Sequence, residues 1–198
     1  MADRDPIDTF TRIAAGDDKT NYDNVAISLH WLTAFLVVIQ FALAETWDWA
    51  GKDTRETMQS IHVSLGILLA IVVVARLIWR WTPGHERSSM VGGWVKFASE
   101  GVHYLLYVLL VAQAVLGFLI GWSAGHAIHF FGIGIPGPMG ALSKPLRHEI
   151  RDLHGNVGWA IIILAFGHAL AALYHHYVLK DRLLGRMLPL ARRSGRGR

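Results

Sequence analysis

The stretch LHGNVGWAIIILAFGHALAALYHHYVL, residues 153–179, decides the fold. It carries no Asp, Glu, Lys or Arg. A bilayer-crossing helix needs about 20 mainly apolar residues, so the stretch is long enough to span. In lipid the backbone must satisfy its own hydrogen bonds, which selects a helix over an open strand. Four histidines interrupt it: His154 and His168 within the span, and His175 and His176 at its end. The fourteen residues from His154 to His168 are close to four turns at about 3.6 residues per turn, so these two lie on one face, ~21 Å apart along the axis. That is too far for one metal ion.

Three further apolar blocks occupy residues 25–44, 61–81 and 97–122. Trp47, Trp49, Trp79, Trp81, Trp94 and Trp122 lie near the block ends, as an aromatic belt does. The chain of 198 residues is 53% hydrophobic and 17% charged, where a soluble domain is about a quarter charged. The surplus sits in the blocks, so the class is membrane protein. The connections at 45–60 and 82–96 are short. The longest, 123–152, contains Gly-Ile-Gly-Ile-Pro-Gly-Pro at 132–138 and reads as an ordered turn or cap.

Residues 1–24 are polar and lack the apolar core of a cleavable signal peptide, so the first block stays as a membrane helix. The organisation is therefore a polar N-terminal segment (1–24), a four-helix membrane domain (25–190) and a basic tail (191–198). An even number of crossings puts both termini on one side. That side carries Arg4, Arg12, Lys19, Arg76, Arg80, Arg87, Lys96, Lys180, Arg182, Arg186 and the cations of the tail. The other carries Lys52, Arg55, Lys144, Arg147 and Arg151. The positive-inside rule puts the termini in the cytoplasm, and the net charge of +4 reflects this loop bias rather than nucleic-acid binding.

The absence of cysteine excludes disulfides, thiolate metal sites, iron–sulfur clusters and covalent c-type haem. Eleven histidines remain. Ionisable groups inside membrane helices are costly and usually functional. His62 and His154 lie at the outer depth; His30, His103 and His168 lie at the inner. Paired imidazoles at two depths suit two haems b, one per leaflet, each held on both axial faces. His62 and His154 clamp the outer one, and His168 clamps the inner one with His30 or His103. Gly66, Gly155, Gly158 and Gly167 allow close approach of a porphyrin, or ordinary close helix packing. The helix interiors lack the Asp and Glu that a proton or metal path wants. The expected fold is an all-α integral membrane four-helix bundle with two haems b between its helices.

These residues resemble the bacterial cytochrome b561 family of four-helix dihaem membrane cytochromes, over about 22–189. The resemblance is carried by Ile27-Ser28-Leu29-His30-Trp31, Ile61-His62-Val63-Ser64-Leu65-Gly66, the His154 to His168 spacing, and Ala171-Ala172-Leu173-Tyr174-His175-His176-Tyr177. The six-helix eukaryotic proteins of similar name do not fit the helix count. The resemblance implies His30 with His168 on the cytoplasmic haem and His62 with His154 on the periplasmic one, in a bacterial inner membrane. The chain is also similar to the family's superoxide oxidases, in which periplasmic superoxide gives its electron to haem, oxygen leaves and ubiquinone is reduced. It departs from them in its N-terminal extension and Arg-rich tail.

On that reading Lys144, Arg147 and Arg151 form an anion funnel above the outer haem. The competing account is a solvated amphipathic segment, or pairing with propionates and with Glu149 and Asp152. Lys52 and Arg55 are offset by Asp48, Asp53 and Glu56. His175, seven residues after His168, lies on nearly the same face and is the candidate quinone ligand, or an interfacial residue. His176 points elsewhere, toward the interface. Arg76 pairs with an inner propionate or snorkels. His103 bonds a propionate or a neighbouring helix. His85, His126, His129 and His148 are assigned to loops. The alternative function is a cytochrome b subunit that links quinone to a separate dehydrogenase or hydrogenase.

Overall fold

The computed structural model describes residues 24–82 and 94–180. The orientation charges at 1–23, 83–93 and 181–198, and His85, lie outside the described residues. Four long helices dominate: α1 (Asn24–Thr46), α2 (Lys52–Trp81), α3 (Trp94–Trp122) and α4 (Lys144–Tyr177). All four are long and apolar enough to cross a membrane. α1 packs along α2 and α3 along α4, α2 bridges to α3, and α1 touches α4 only slightly.

The core is a layer of Val73 on α2, Leu110 on α3 and Ile161 on α4, with Val37, Leu69, Leu77 and Val157 around it. Ile161 lies midway between His154 and His168, so an apolar layer separates the two histidine tiers. Outside the bundle, Phe35, Val38, Ile71, Val108, Ile163 and Phe166 are exposed, as side chains solvated by lipid are. Thr33, buried on α1, gives its hydroxyl to the Leu29 carbonyl at 2.7 Å, which satisfies it within its own helix.

Two helices begin earlier than hydropathy alone indicates. α2 starts at Lys52 and α4 at Lys144, both inside segments that read as connections. Pro145 sits in the first turn of α4, where its missing N–H costs nothing and its fixed φ suits a helix start. Hydropathy marks where lipid begins; the hydrogen-bonded helix continues beyond it into water. Consequently His62 and His154 each lie roughly three turns inside their helices, and Lys144, Arg147, His148 and Arg151 ride on the same helix as His154.

The glycine-rich connection forms a small antiparallel hairpin, β1 (Ile128–Phe130) and β2 (Ile133–Ile135), with Phe130 opposite Ile133. Its two-residue turn puts Phe131 at φ 45° and Gly132 at φ 90°, the positive pair that a type I′ turn requires. The hairpin is pinned to α2 by Ser64, which is 2% exposed. Ser64 Oγ accepts from the Phe131 N–H at 3.0 Å and donates to the His129 carbonyl at 3.4 Å. Trp122 Nε1 donates to the Ile135 carbonyl at 3.2 Å. Two glycines permit this docking: a Cβ on Gly121 would collide with Ile128, and one on Gly137 would lie 2.6 Å from the Trp122 ring.

Candidate haem sites

The helices gather the histidines into two tiers. At the hairpin end, His62 of α2 faces His154 of α4, with ring centroids 6.3 Å apart. With metal–nitrogen bonds of about 2.0–2.1 Å, imidazoles on opposite sides of one metal have centroids about 6 Å apart. The pair therefore has the spacing of two axial ligands. Both Nδ1 atoms are buried without a hydrogen-bond partner. Trp47, in the 3-10 turn after α1, packs its ring against His62 at 5.2 Å. It belongs to the site as well as to the interface.

Two glutamines that the histidine pattern does not single out complete this tier. Gln40 of α1 donates its amide N–H to the His62 carbonyl at 2.9 Å. Gln113 of α3 donates to Nε2 of His154 at 3.2 Å. Each lies in a glycine notch one turn along from the histidine. A Cβ on Gly66 would be 2.8 Å from Gln40 Nε2, and one on Gly158 would be 3.2 Å from Gln113 Nε2. Gly117 lies beside the His154 ring, where a Cβ would make an ordinary 3.5 Å contact with Cε1. Gly155 and Gly167 meet nothing within 4 Å. The signal for the glutamines is that each is an amide flanked by apolar residues, Ile39 and Phe41 or Ala112 and Ala114.

At the opposite end, His168 of α4 meets His103 of α3 edge-on, with ring centroids 4.8 Å apart. His103 donates Nδ1–H to the Ser99 carbonyl at 2.7 Å, which leaves Nε2 as its available nitrogen. His30 of α1 accepts from Arg76 of α2, Nη2 to Nδ1, at 2.9 Å. Arg76 and Arg80 both lie over the Tyr107 ring, at 5.1 and 5.4 Å. This tier holds three imidazoles and a guanidinium suited to a carboxylate. Among the described residues no three His, Cys, Asp or Glu side chains converge on a metal ion. Histidines arranged in facing rings rather than a cage fit a macrocycle that brings its own equatorial ligands.

The remaining candidates are spread along α4. Lys144 and Arg151 are exposed. Arg147 is half-buried, with Nε buried and unpartnered. Seven residues before His154, it shares that histidine's face about two turns away. His148 is on α4, not in a loop, and pairs with Asp152 at 3.5 Å; His129 is on β1. Arg55 pairs with Asp48 at 2.9 Å. His175 and His176 are both half-buried; His175 contacts Tyr174 at 6.4 Å, and His176 has a buried, unpartnered Nδ1 and a ring contact with Tyr177.

Comparison with known proteins agrees with this arrangement. The family model for prokaryotic cytochrome b561 matches residues 21–190. A "Cytochrome b561 homolog 1" of Escherichia coli is 30% identical, over 85% of this chain and 97% of its own length. A "Probable superoxide oxidase CybB" of Yersinia pestis is 32% identical, over 86% and 97%. A "Cytochrome b562" of Cereibacter sphaeroides is 31% identical, over 86% and 96%. With four membrane-length helices, facing histidines and a match across nearly all of its length, the chain belongs to the prokaryotic cytochrome b561 family, whose cofactor is b-type haem and whose work is membrane electron transfer.

Proposed function

We propose that the protein oxidises superoxide at the hairpin end and reduces ubiquinone at the other, through two haems b. His62 and His154 hold the outer haem; His30 and His168 hold the inner. Two superoxide anions supply the two electrons, two dioxygen molecules leave, and two protons complete the ubiquinol. Haem iron, when bound, supplies one-electron chemistry. The hairpin end is periplasmic and both termini are cytoplasmic, in a bacterial inner membrane.

The observation that carries this reading is Arg147. Its guanidinium shares the face of His154, and its buried Nε has no partner. A cation there draws a small anion toward the outer pair, and Lys144 and Arg151 extend the field into solvent. The name of the Yersinia pestis relative supports the same substrate. At the other end Arg76 holds a propionate. His175 gives a hydrogen bond to the quinone carbonyl from α4, two turns beyond His168.

The test is a visible spectrum of the purified, oxidised protein while superoxide is generated enzymatically. Reduced b-haem bands should appear and be suppressed by superoxide dismutase; adding a short-chain ubiquinone should then reoxidise them. Bands that ignore superoxide but reduce with quinol would overturn the reading in favour of a subunit serving a separate redox partner.

A further inference from the structure

Two glutamines flank the outer histidine pair, Gln40 on the main chain of His62 and Gln113 on the ring of His154. On α2, His62 and Gly66 form a notch one helical turn long, and Gln40 reaches into it from α1. On α4, His154 and Gly158 form the same notch, and Gln113 reaches into it from α3. Each amide has used a nitrogen, Gln40 on the His62 carbonyl at 2.9 Å and Gln113 on His154 Nε2 at 3.2 Å. Each has a buried Oε1 with no partner, and each histidine has a buried Nδ1 with no partner.

A neutral imidazole carries one donor and one acceptor nitrogen. Because Gln113 donates to Nε2, the proton of His154 is on Nδ1. The tier therefore holds a buried donor with no acceptor, His154 Nδ1, and two buried acceptors with no donor, the Oε1 atoms of Gln40 and Gln113. Leaving such groups unsatisfied costs about 1–3 kcal/mol each, and more in lipid. An imidazole that gives one nitrogen to a metal normally donates its other N–H to an acceptor, which fixes the ring and strengthens it as a ligand. The amides touching these two histidine residues are the Gln40 and Gln113 side chains.

We infer that Gln40 and Gln113 are positioning residues for the outer haem. In the loaded protein the Oε1 of each accepts the N–H of the His62 or His154 nitrogen that does not bind iron. The glycines at 66 and 158 keep the notches open for them. An imidazole that donates to an acceptor is a richer electron donor and favours ferric iron. The glutamines therefore hold the outer haem at a lower potential than an apolar surrounding would. The inference rests on the proposal that His62 and His154 hold a haem, and the experiment separates the two.

The experiment is a spectroscopic redox titration of the full-length, haem-loaded protein and its Gln40→Leu, Gln113→Leu, Gln40→Glu and Gln113→Glu variants. The unsubstituted protein should show two waves. Each Leu variant should move one wave upward, changing the reduced-to-oxidised ratio at its original midpoint by roughly fivefold, the size of one net hydrogen bond. The other wave should stay. Each Glu variant keeps an acceptor oxygen and should leave the wave in place or move it down. Waves that ignore all four substitutions, or that move the same way with Leu and with Glu, would overturn the inference while leaving the two-haem reading intact. A single wave in the unsubstituted protein would overturn the two-haem reading, and this inference with it.

Discussion

The ring of His103 stands edge-on to the ring of His168, with centroids 4.8 Å apart, on the neighbouring helix α3. His103 is thus as much a part of the inner tier as His30, which is tied to Arg76. On the proposed function, ligation is what separates them. With His30 and His168 assigned as the inner ligands, replacing either by Ala should lower bound haem from about two per chain to about one. His103→Ala should keep both haems and a low-spin spectrum. Haem-to-protein ratio and the visible spectrum read the difference. Loss of a haem in His103→Ala with retention in His30→Ala would exchange the two roles.

Arg147 is distinguished from its two neighbours by direction. Arg147→Gln should slow reduction by superoxide about tenfold, as removal of a focused charge does. Lys144→Gln and Arg151→Gln act only through solvent and should slow it about twofold or less, an effect that fades with added salt. Stopped-flow rates at two ionic strengths check this. Equal losses for all three would favour a diffuse field over a directed cation.

Glycines that face different neighbours should differ in what they cost. Gly66→Ala meets the flexible end of Gln40, which can swing away, so the loss of stability should be about 1 kcal/mol. Gly137→Ala meets the Trp122 ring, itself held by its bond to Ile135, and should cost about 3 kcal/mol. Thermal loss of the haem Soret band measures both. The Gly66→Ala cost should shrink when Gln40→Ala is added, since the two changes share one contact.

Ser64→Ala should free the hairpin. It leaves the Phe131 N–H and the His129 carbonyl without their partner, at about 1 kcal/mol, the net worth of a hydrogen bond between partly exposed groups. Hydrogen exchange at Phe131 should accelerate while that of the α2 amides around residue 73 is unchanged. Unchanged exchange at Phe131 would show that Ile128 and Trp122 hold the hairpin without it.

The helix count, the blocks and both histidine depths were legible in the chain because lipid imposes a one-dimensional code: about 20 apolar residues per crossing, with any polar residue among them conspicuous. The His154 to His168 spacing is a property of one helix and needs no tertiary information. The same code ran out where water begins. Residues 144–152 and 52–60 are polar, so hydropathy ended two helices early, although their backbones continue to hydrogen-bond. The glycines at 132–138 marked an ordered turn, but its strands were hidden, because the turn uses Phe131-Gly132 rather than Asn-Gly, and its anchor, Ser64, lies 67 residues away from Phe131.

What the chain alone determined is that four membrane helices carry histidines at two levels. Tertiary structure alone decided which side chains meet across helices: Gln40 in the notch of His62 and Gly66, Gln113 in that of His154 and Gly158, Trp47 on His62, and His103 on His168. The physical reason is that periodicity specifies a face within one helix. Which faces pair, and which small residue lets a neighbour in, depends on how four such helices pack together.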